Sequence, residues 1–437
     1  MLLFTLTLCF IILLISATHG VFVAYPLLLT LIIITPVYIW QGFTLRSLIQ
    51  MAIVGSQKSF SILAILLLIG ALTSVWMAAG TIPALIYYGV KLINPQYFIL
   101  SAFILTSFVS LLIGTSFGTV STIGVSLMAI AKGSNVNLSL VAGTIIAGAY
   151  FGDRCSPMSS SAHLVASLTK TNIYQNIKNM LGGGNILPLL ASTLIYGVLS
   201  WLNPITEVED SLTLAISQVF EINFIVLLPA LVVLVLSLGK IEVKLTIIIS
   251  LIIALAIGIK IQHYSLTELF KLGMLGYSLE EPSLKDILSG GGVLSMAKVS
   301  LVVIISTAMA GIFAETKTLS IIERLINQTK SRSGLFLGTT ITSLIAATFG
   351  CTQTIAIVLT QQLVQKKYQQ EQLDNYQLAV DIENTAVVLS PLIPWNIAGL
   401  VPATILMTDS SFIFYAFYLY FIPIFNFARL SIASRRL

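Results

Sequence analysis

Charge is what this sequence lacks most. Asp, Glu, Lys and Arg make up only 9% of its 437 residues, against 57% apolar. Soluble domains carry about a quarter charged residues, and a globule of this size could not clothe its surface with so few. A soluble enzyme or soluble binding module is thereby excluded. Cysteine is scarce as well. Cys9, Cys155 and Cys351 lie far apart, with no C-x-x-C pair and no Cys/His cluster, so neither a disulfide framework nor a metal centre is indicated. The glycine runs 182–184 and 290–292 lack the lysine and the strand context of a phosphate loop and read as flexible connectors. No basic stretch precedes the apolar residues 2–18, which favours a first membrane helix over a cleaved signal peptide. Nothing in the composition calls for a cofactor. The net charge of +5 reads as basic cytoplasmic loops rather than a nucleic-acid partner.

What is abundant is apolar sequence in runs of about 17 residues or more, the length that crosses a bilayer as helix. Such runs are expected near 2–18, 21–40, 60–80, 97–115, 138–151, 185–203, 215–238, 243–262, 296–314, 335–350, 376–405 and 411–428. Segments 116–131 and 352–365 are short and rich in Gly, Ser, Thr and Gln, and read as pieces of broken or re-entrant helices. The expected fold is an all-α membrane protein of about 10–14 transmembrane helices, a single transport domain over 1–437 embedded in the lipid bilayer. Basic residues near span ends place Arg46 and Lys58, Lys170 and Lys178, Lys240 and Lys244, and Lys317, Arg324, Lys330 and Arg332 inside, together with the tail bearing Arg429, Arg435 and Arg436. The acidic stretch Glu207, Glu209 and Asp210 falls outside. These signs alternate if 116–131 and 352–365 each cross. Both termini are then cytoplasmic, in a cell (inner) membrane.

The chain repeats itself. LLIGTSFG at 111–118 matches SLIAATFG at 343–350, an offset of 232 that pairs Thr122 with Thr354 and Thr119 with Cys351. KLIN ending at Asn94 matches RLIN ending at Asn327, and Ser156-Pro157 matches Ser390-Pro391, at offsets of 233 and 234. Repeats of about 60–180 and 296–408 result. Equivalent loops have opposite charge character, so the copies are expected upside-down relative to each other. Inverted repeats with interrupted helices at mid-membrane are an architecture of secondary transporters.

Polar residues concentrate in three clusters of these repeats, each open to a structural and a functional reading. The first is Gly114-Thr115-Ser116-Phe117-Gly118-Thr119 with Ser121 and Thr122; Thr352, Gln353 and Thr354 open the corresponding segment of the second copy. Small residues of this kind suit a close helix contact. Equally, the carbonyls and hydroxyls of a broken helix suit a bare alkali cation, and broken backbone is tolerated only inside protein or beside a cavity. The second runs from Gly148 through Asp153, Arg154, Ser156, Pro157, Ser159 and Ser160 to His163. Its charges either mark a cytoplasmic helix end or sit at depth, where ionisable groups are functional candidates; His163 is either a satisfied polar residue or a proton carrier. The third is Asp381, Glu383, Asn384 and Thr385, then Ser390, Pro391, Pro394, Trp395 and Asn396. Two acids and two prolines interrupt a stretch otherwise apolar enough to span. Asp381 and Glu383, two apart, point to different helix faces, and Asp381 is expected nearer water.

GTSFGT at 114–119, GAYFGDRCSPMSSSAHLVA at 148–166, GGVLSM at 291–296 and ENTAVVLSPLIPWNIAG at 383–399 together resemble the NhaC-type sodium/proton antiporter family, one of a larger group of ion transporters with inverted repeats. The resemblance covers most of 60–408. It implies exchange of cytoplasmic Na⁺ for external H⁺ by alternating access. Asp153 and Glu383, each just upstream of a Ser-Pro break in the polar cluster of its copy, are the expected coupling carboxylates and candidate Na⁺ ligands. The sequence departs from the family pattern at Ser160, where an Asp is usual, at His163, where an Asn is usual, and at Asn384, where a second acid is usual. A Na⁺- or H⁺-coupled carrier of a small organic acid or amino acid therefore stays open as an alternative. An intramembrane hydrolase would need a nucleophile paired with a base, which these motifs do not offer, so no enzyme is expected. The expected partners are lipid and a transported cation or small solute; a homo-oligomer is compatible with the pattern.

Overall fold

The fold was analysed in a computed structural model, which describes residues 2–434 apart from 20, 58, 93, 135, 183–185, 206–209, 240, 280–281, 286–287, 317–325, 327–328 and 330. Lys58, Gly183, Gly184, Glu207, Glu209, Lys240, Lys317, Arg324, Asn327, Lys330, Arg435 and Arg436 therefore lie outside the described residues. Among those described, helix is the only extended regular structure, with one isolated bridge between Tyr277 and Gly290.

Three helices, Pro95–Ile113, Val293–Glu315 and Arg332–Gly350, are each long and apolar enough to cross a membrane, and five if each bent helix pair counts as one span. Large apolar side chains face outward, among them Phe224 at 77% and Leu194 at 71% exposure. Water would penalise such a surface, whereas hydrocarbon does not. The chain is an integral, all-α membrane protein.

Most expected spans recur as helices, with instructive differences. The stretch 215–238 is divided between Asp210–Val219 and Leu228–Leu238, with a short 3-10 turn at Phe224–Leu227. The stretch 376–405 bends by 53° between Asn375–Leu392 and Ile397–Ile405. Helices Leu45–Gln57, Thr81–Leu92, Ser160–Thr169, Ile173–Leu181 and Leu266–Leu275 were not foreseen. They are too short or too polar for a hydropathy argument tuned to whole spans. The glycine run 290–292 is no flexible connector. Gly292 N–H donates to the Gly70 carbonyl at 2.6 Å, and a Cβ on Gly291 would stand 2.7 Å from the Ser74 nitrogen.

The ends of helices carry a regularity that the matching strings do not. Seven pairs of terminus residues stand 237 positions apart. Asn94 and Ser331 cap helix starts, as do Thr115 and Thr352, Asn137 and Asp374, Ser159 and Asn396, and Asn172 and Asp409. Gly114 and Cys351 end helices in left-handed conformation, and Lys170 and Met407 share that conformation at φ 54 and 55. Helices Phe60–Ala78 and Ala297–Glu315 have both ends at the same spacing. In this register Cys351 takes the place of Gly114 rather than Thr119, Pro394 that of Pro157, and Ser390 that of Asp153.

Helices Phe98–Ile113 and Leu138–Cys155 meet at glycine. A Cβ on Gly152 would stand 2.0 Å from the Ser110 carbonyl carbon, and one on Gly148 would stand 2.1 Å from the Thr106 hydroxyl. This contact fixes the helix that ends in the second polar cluster. Gly152→Ala is expected to destabilise the protein by about 1–3 kcal/mol through overpacking, read as a lower melting temperature of the purified protein in detergent.

Candidate functional site

Four helix starts converge at the centre of the molecule: Ser116–Lys132, Ser160–Thr169, Gln353–Gln370 and Ile397–Ile405. Each follows a break, and each break is capped from within. Gly114 turns the chain at φ +74, and a Cβ there would meet Met158 at 2.5 Å, so both conformation and space call for glycine. Thr115 Oγ1 then accepts from the Gly118 amide, Ser159 Oγ from Ala162, Thr352 Oγ1 from Ile355 and Asn396 Oδ1 from Ala398. A side-chain oxygen replaces the partner that an orphaned amide has lost.

Between these starts lies a cavity of about 470 Å³. Gly114, Thr115 and Ser116 line it from the first break, Met158 and Ser160 from the second, Thr352, Gln353 and Thr354 from the third, and Ile397 and Ala398 from the fourth. Asp153 supplies its buried acid, and Ile62, Ile65, Ile113, Phe117, Ile241 and Glu242 complete the wall. Asp153 is 4% exposed. Its Oδ2 accepts from Gln353 Nε2 at 3.0 Å, and the same nitrogen donates to the Val387 carbonyl at 3.2 Å. Ser159 Oγ reaches Asp153 Oδ1 only at 3.4 Å. The carboxylate is thus held in place while retaining lone pairs for a ligand. Ser161 Oγ holds its main-chain carbonyl at 2.9 Å, and Tyr150 ties the fourth helix start in place by donating to the Ala398 carbonyl at 2.7 Å.

Other residues singled out from sequence stand elsewhere. The hydroxyls of Thr119 and Thr122 donate to the Thr115 and Gly118 carbonyls of their own helix, where Val120–Gly124 is π-helical. Ser156 Oγ accepts from the Met158 amide inside the Ser-Pro turn. His163 is exposed, and its Nε2 lies 2.9 Å from the Pro157 carbonyl, so it closes that turn and does not line the cavity. Trp395 Nε1 and Asn396 Nδ2 donate to the Thr348 and Ala347 carbonyls and pin the bent helix. Ser390 Oγ donates to the Ala386 carbonyl, the Pro391 carbonyl packs against Gly399, and Pro394 lines a separate pocket of about 160 Å³ beside Asp409.

The third cluster divides by helix face. Asp381 does not meet water: it is 4% exposed, ion-paired to Arg332 at 2.5 Å, and accepts from the Tyr368 hydroxyl at 2.5 Å. Thr385 Oγ1 donates to the Asp381 carbonyl and accepts from Ser343. Glu383 begins the π-helical segment Glu383–Val387 and is fully buried, and it is not on the cavity wall. Neither of its carboxylate oxygens has a hydrogen-bond partner. Asn384 Oδ1 accepts from Arg154, which also reaches the Tyr418 hydroxyl at 3.3 Å. Arg154, one of the two charges of the second cluster, thus sits at depth and does not mark a helix end in water. Tyr418 went unrecognised in the sequence, because it sits in an ordinary aromatic span that gave no signal.

Broken helices whose starts surround a buried acid in a cavity are the construction of secondary transporters. The sequence profile of the Na⁺/H⁺ antiporter family matches residues 1–162 and 148–429, and the chain belongs to that family. It is 31% identical over 78% of its length to a protein of Haemophilus influenzae named an uncharacterised Na⁺/H⁺ antiporter, covering 76% of that protein. It is 29% identical to the malate-2H⁺/Na⁺-lactate antiporter of Bacillus subtilis, over 84% of this chain and 79% of the relative. With the Na⁺/H⁺ antiporter NhaC of the same organism it shares 26% identity over 91% and 90% of the two chains.

Two substitutions separate positioning at the cavity from scaffolding behind it. Gln353→Ala removes a hydrogen bond to a charged group, about 1.5–3 kcal/mol, and is expected to raise the half-saturating cation concentration about tenfold or more in a flux assay. Asp381→Asn breaks a buried ion pair and is expected to cost about 3 kcal/mol of stability, seen as a lower melting temperature and poorer yield.

Proposed function

We propose that this chain exchanges cytoplasmic Na⁺ for external H⁺ by alternating access, with Asp153 as the carboxylate that takes the cation. The observation that carries the reading is Asp153 itself, a buried acid on the wall of an accessible cavity at the meeting point of four helix starts. A dehydrating alkali cation seeks oxygen ligands. The Asp153 carboxylate and the neighbouring Thr115, Ser116 and Thr352 offer them on the two copies of the break. The cavity reaches Ile241 and Glu242, beside Lys244 at the start of helix Val243–Lys260, an end read as cytoplasmic from its basic residues. The conformation is then inward-facing, with both termini in the cytoplasm and the protein in a cell (inner) membrane. The 237-residue spacing of helix ends supports two repeats within one transport domain, and the opposite charge character of equivalent loops supports their inversion. The exchange calls for no cofactor.

One feature favours a second reading. A volume of about 470 Å³ exceeds what a bare cation fills and lies in the range of small-molecule sites, about 300–1,000 Å³. A small organic acid carried with or against the ions is compatible with that space, and the malate/lactate relative exchanges such acids by its name.

The deciding experiment uses the purified protein in liposomes with a trapped pH dye. Na⁺, Li⁺, K⁺ and a panel of organic acids and amino acids are added in turn. Na⁺ or Li⁺ alone is expected to move protons. A response only to an organic acid would replace the first reading with the second. Asp153→Asn keeps the shape and loses the charge, and is expected to abolish Na⁺-driven proton flux while the protein still inserts and elutes normally.

A further inference from the structure

The two acids expected to act together are in different surroundings. Asp153 borders the cavity, whereas Glu383 is sealed at 0% exposure and does not line it. Around Glu383 the polar accounts do not balance. Both its carboxylate oxygens, the Arg154 Nε and the Asn384 Nδ2 are buried without hydrogen-bond partners. Arg154, at 1% exposure, gives one guanidinium nitrogen to the Asn384 Oδ1 instead of to the acid. Four orphaned polar atoms on three neighbouring buried residues would be costly if they were only scaffold, since each forgoes the hydrogen bonds that water would give it.

We propose that the exchanged proton rides on Glu383, in a compartment separate from the Na⁺ site at Asp153, and that Arg154 is a tethered cation that turns from Asn384 onto the carboxylate when the proton leaves. This rests on the exchange reading above and assigns its two cargoes to different side chains. A sealed carboxylate with no partner carries a heavy desolvation cost, whereas a neutral acid carries far less. The arrangement with Arg154 on Asn384 is therefore the protonated one. On release the Glu383 O–H bond breaks, its electron pair stays on the carboxylate, and the proton passes to a water admitted as Arg154 swings away from Asn384. Arg154 then supplies the pairing that the bare carboxylate needs. The charged groups acting on Glu383 are Arg154 and Asp153. Na⁺ arriving at Asp153 cancels the nearby negative charge and so favours loss of the Glu383 proton, which has the sign that antiport requires.

Other titratable groups around this compartment do not compete for the role. Helix Leu138–Cys155 presents the Cys155 thiol and helix Phe417–Ser434 the Tyr418 hydroxyl, both in contact with Arg154. Arg332 and Tyr368, from the helices Arg332–Gly350 and Gln353–Gln370, are engaged with Asp381. His163, on Ser160–Thr169, is exposed and bonded to its own turn.

The test measures radiolabelled Na⁺ binding and proton release together on the whole chain in weakly buffered detergent solution. The wild type is expected to bind Na⁺ and acidify the medium. Glu383→Gln is expected to bind Na⁺ within about threefold of the wild type while proton release falls below about a tenth, because the two binding events are no longer coupled. Arg154→Gln is expected to keep Na⁺ binding and to move the pH midpoint of release to the alkaline side, with Arg154→Lys restoring part of it. Loss of Na⁺ binding in Glu383→Gln, with its melting temperature unchanged, would overturn the proposal by putting Glu383 in the cation site. Undiminished proton release from that variant would overturn it as well. A wild type that neither binds Na⁺ nor releases protons would instead count against the exchange reading, and the proposal would fall with it.

Discussion

An amide or carbonyl left without a partner in hydrocarbon costs several kcal/mol, and the whole centre of this protein is shaped by that penalty. Four helices start around one shared cavity instead of at the outer surface of a soluble domain. Each start is answered by a side-chain oxygen from Thr115, Ser159, Thr352 or Asn396. Once the breaks are satisfied from within, their remaining dipoles and hydroxyls face a common space. The cavity follows from the capping, because helices that stop short of one another leave room between them.

The same constraint governs where the acids sit. Asp153 stands in the last turn of a helix packed through Gly148 and Gly152 and is steadied by Gln353 from the opposite break, so one residue of each copy meets at the cavity wall. Asp381 is spent on Arg332 and Tyr368 and links the helices flanking the third cluster. Glu383 lies behind, where π-helical backbone shifts the facing of successive side chains. Three carboxylates close together in sequence or motif thus meet three environments: accessible, ion-paired and sealed.

Much of this was legible in the sequence. The low charge and the apolar runs gave the class, and the clusters around 114–119, 148–163 and 381–396 gave the breaks. That Asp381 and Glu383 point apart followed from helical spacing alone. What could not be read was which hydroxyls face the cavity. Thr119 and Thr122 turn back onto their own helix, and a π-helical turn at 120–124, which leaves no mark in residue type, takes part in that. The burial of Asp381 was missed because its partner, Arg332, is 49 residues away. The register of the two copies is hidden in the residue strings, which match at offsets near 232 while the helix ends repeat at 237.

The constant spacing of helix ends has a consequence for how the two halves drift apart. A cap demands an oxygen at one place and is indifferent to which short polar residue brings it. Asn stands opposite Ser, Asn opposite Asp, and Ser opposite Asn across the pairs, and glycine stands opposite cysteine at the left-handed turn. Identity can therefore erode almost everywhere while the punctuation of the chain keeps its metre. Ancient kinship in proteins of this kind is better sought in the positions where helices stop than in the letters they are written with.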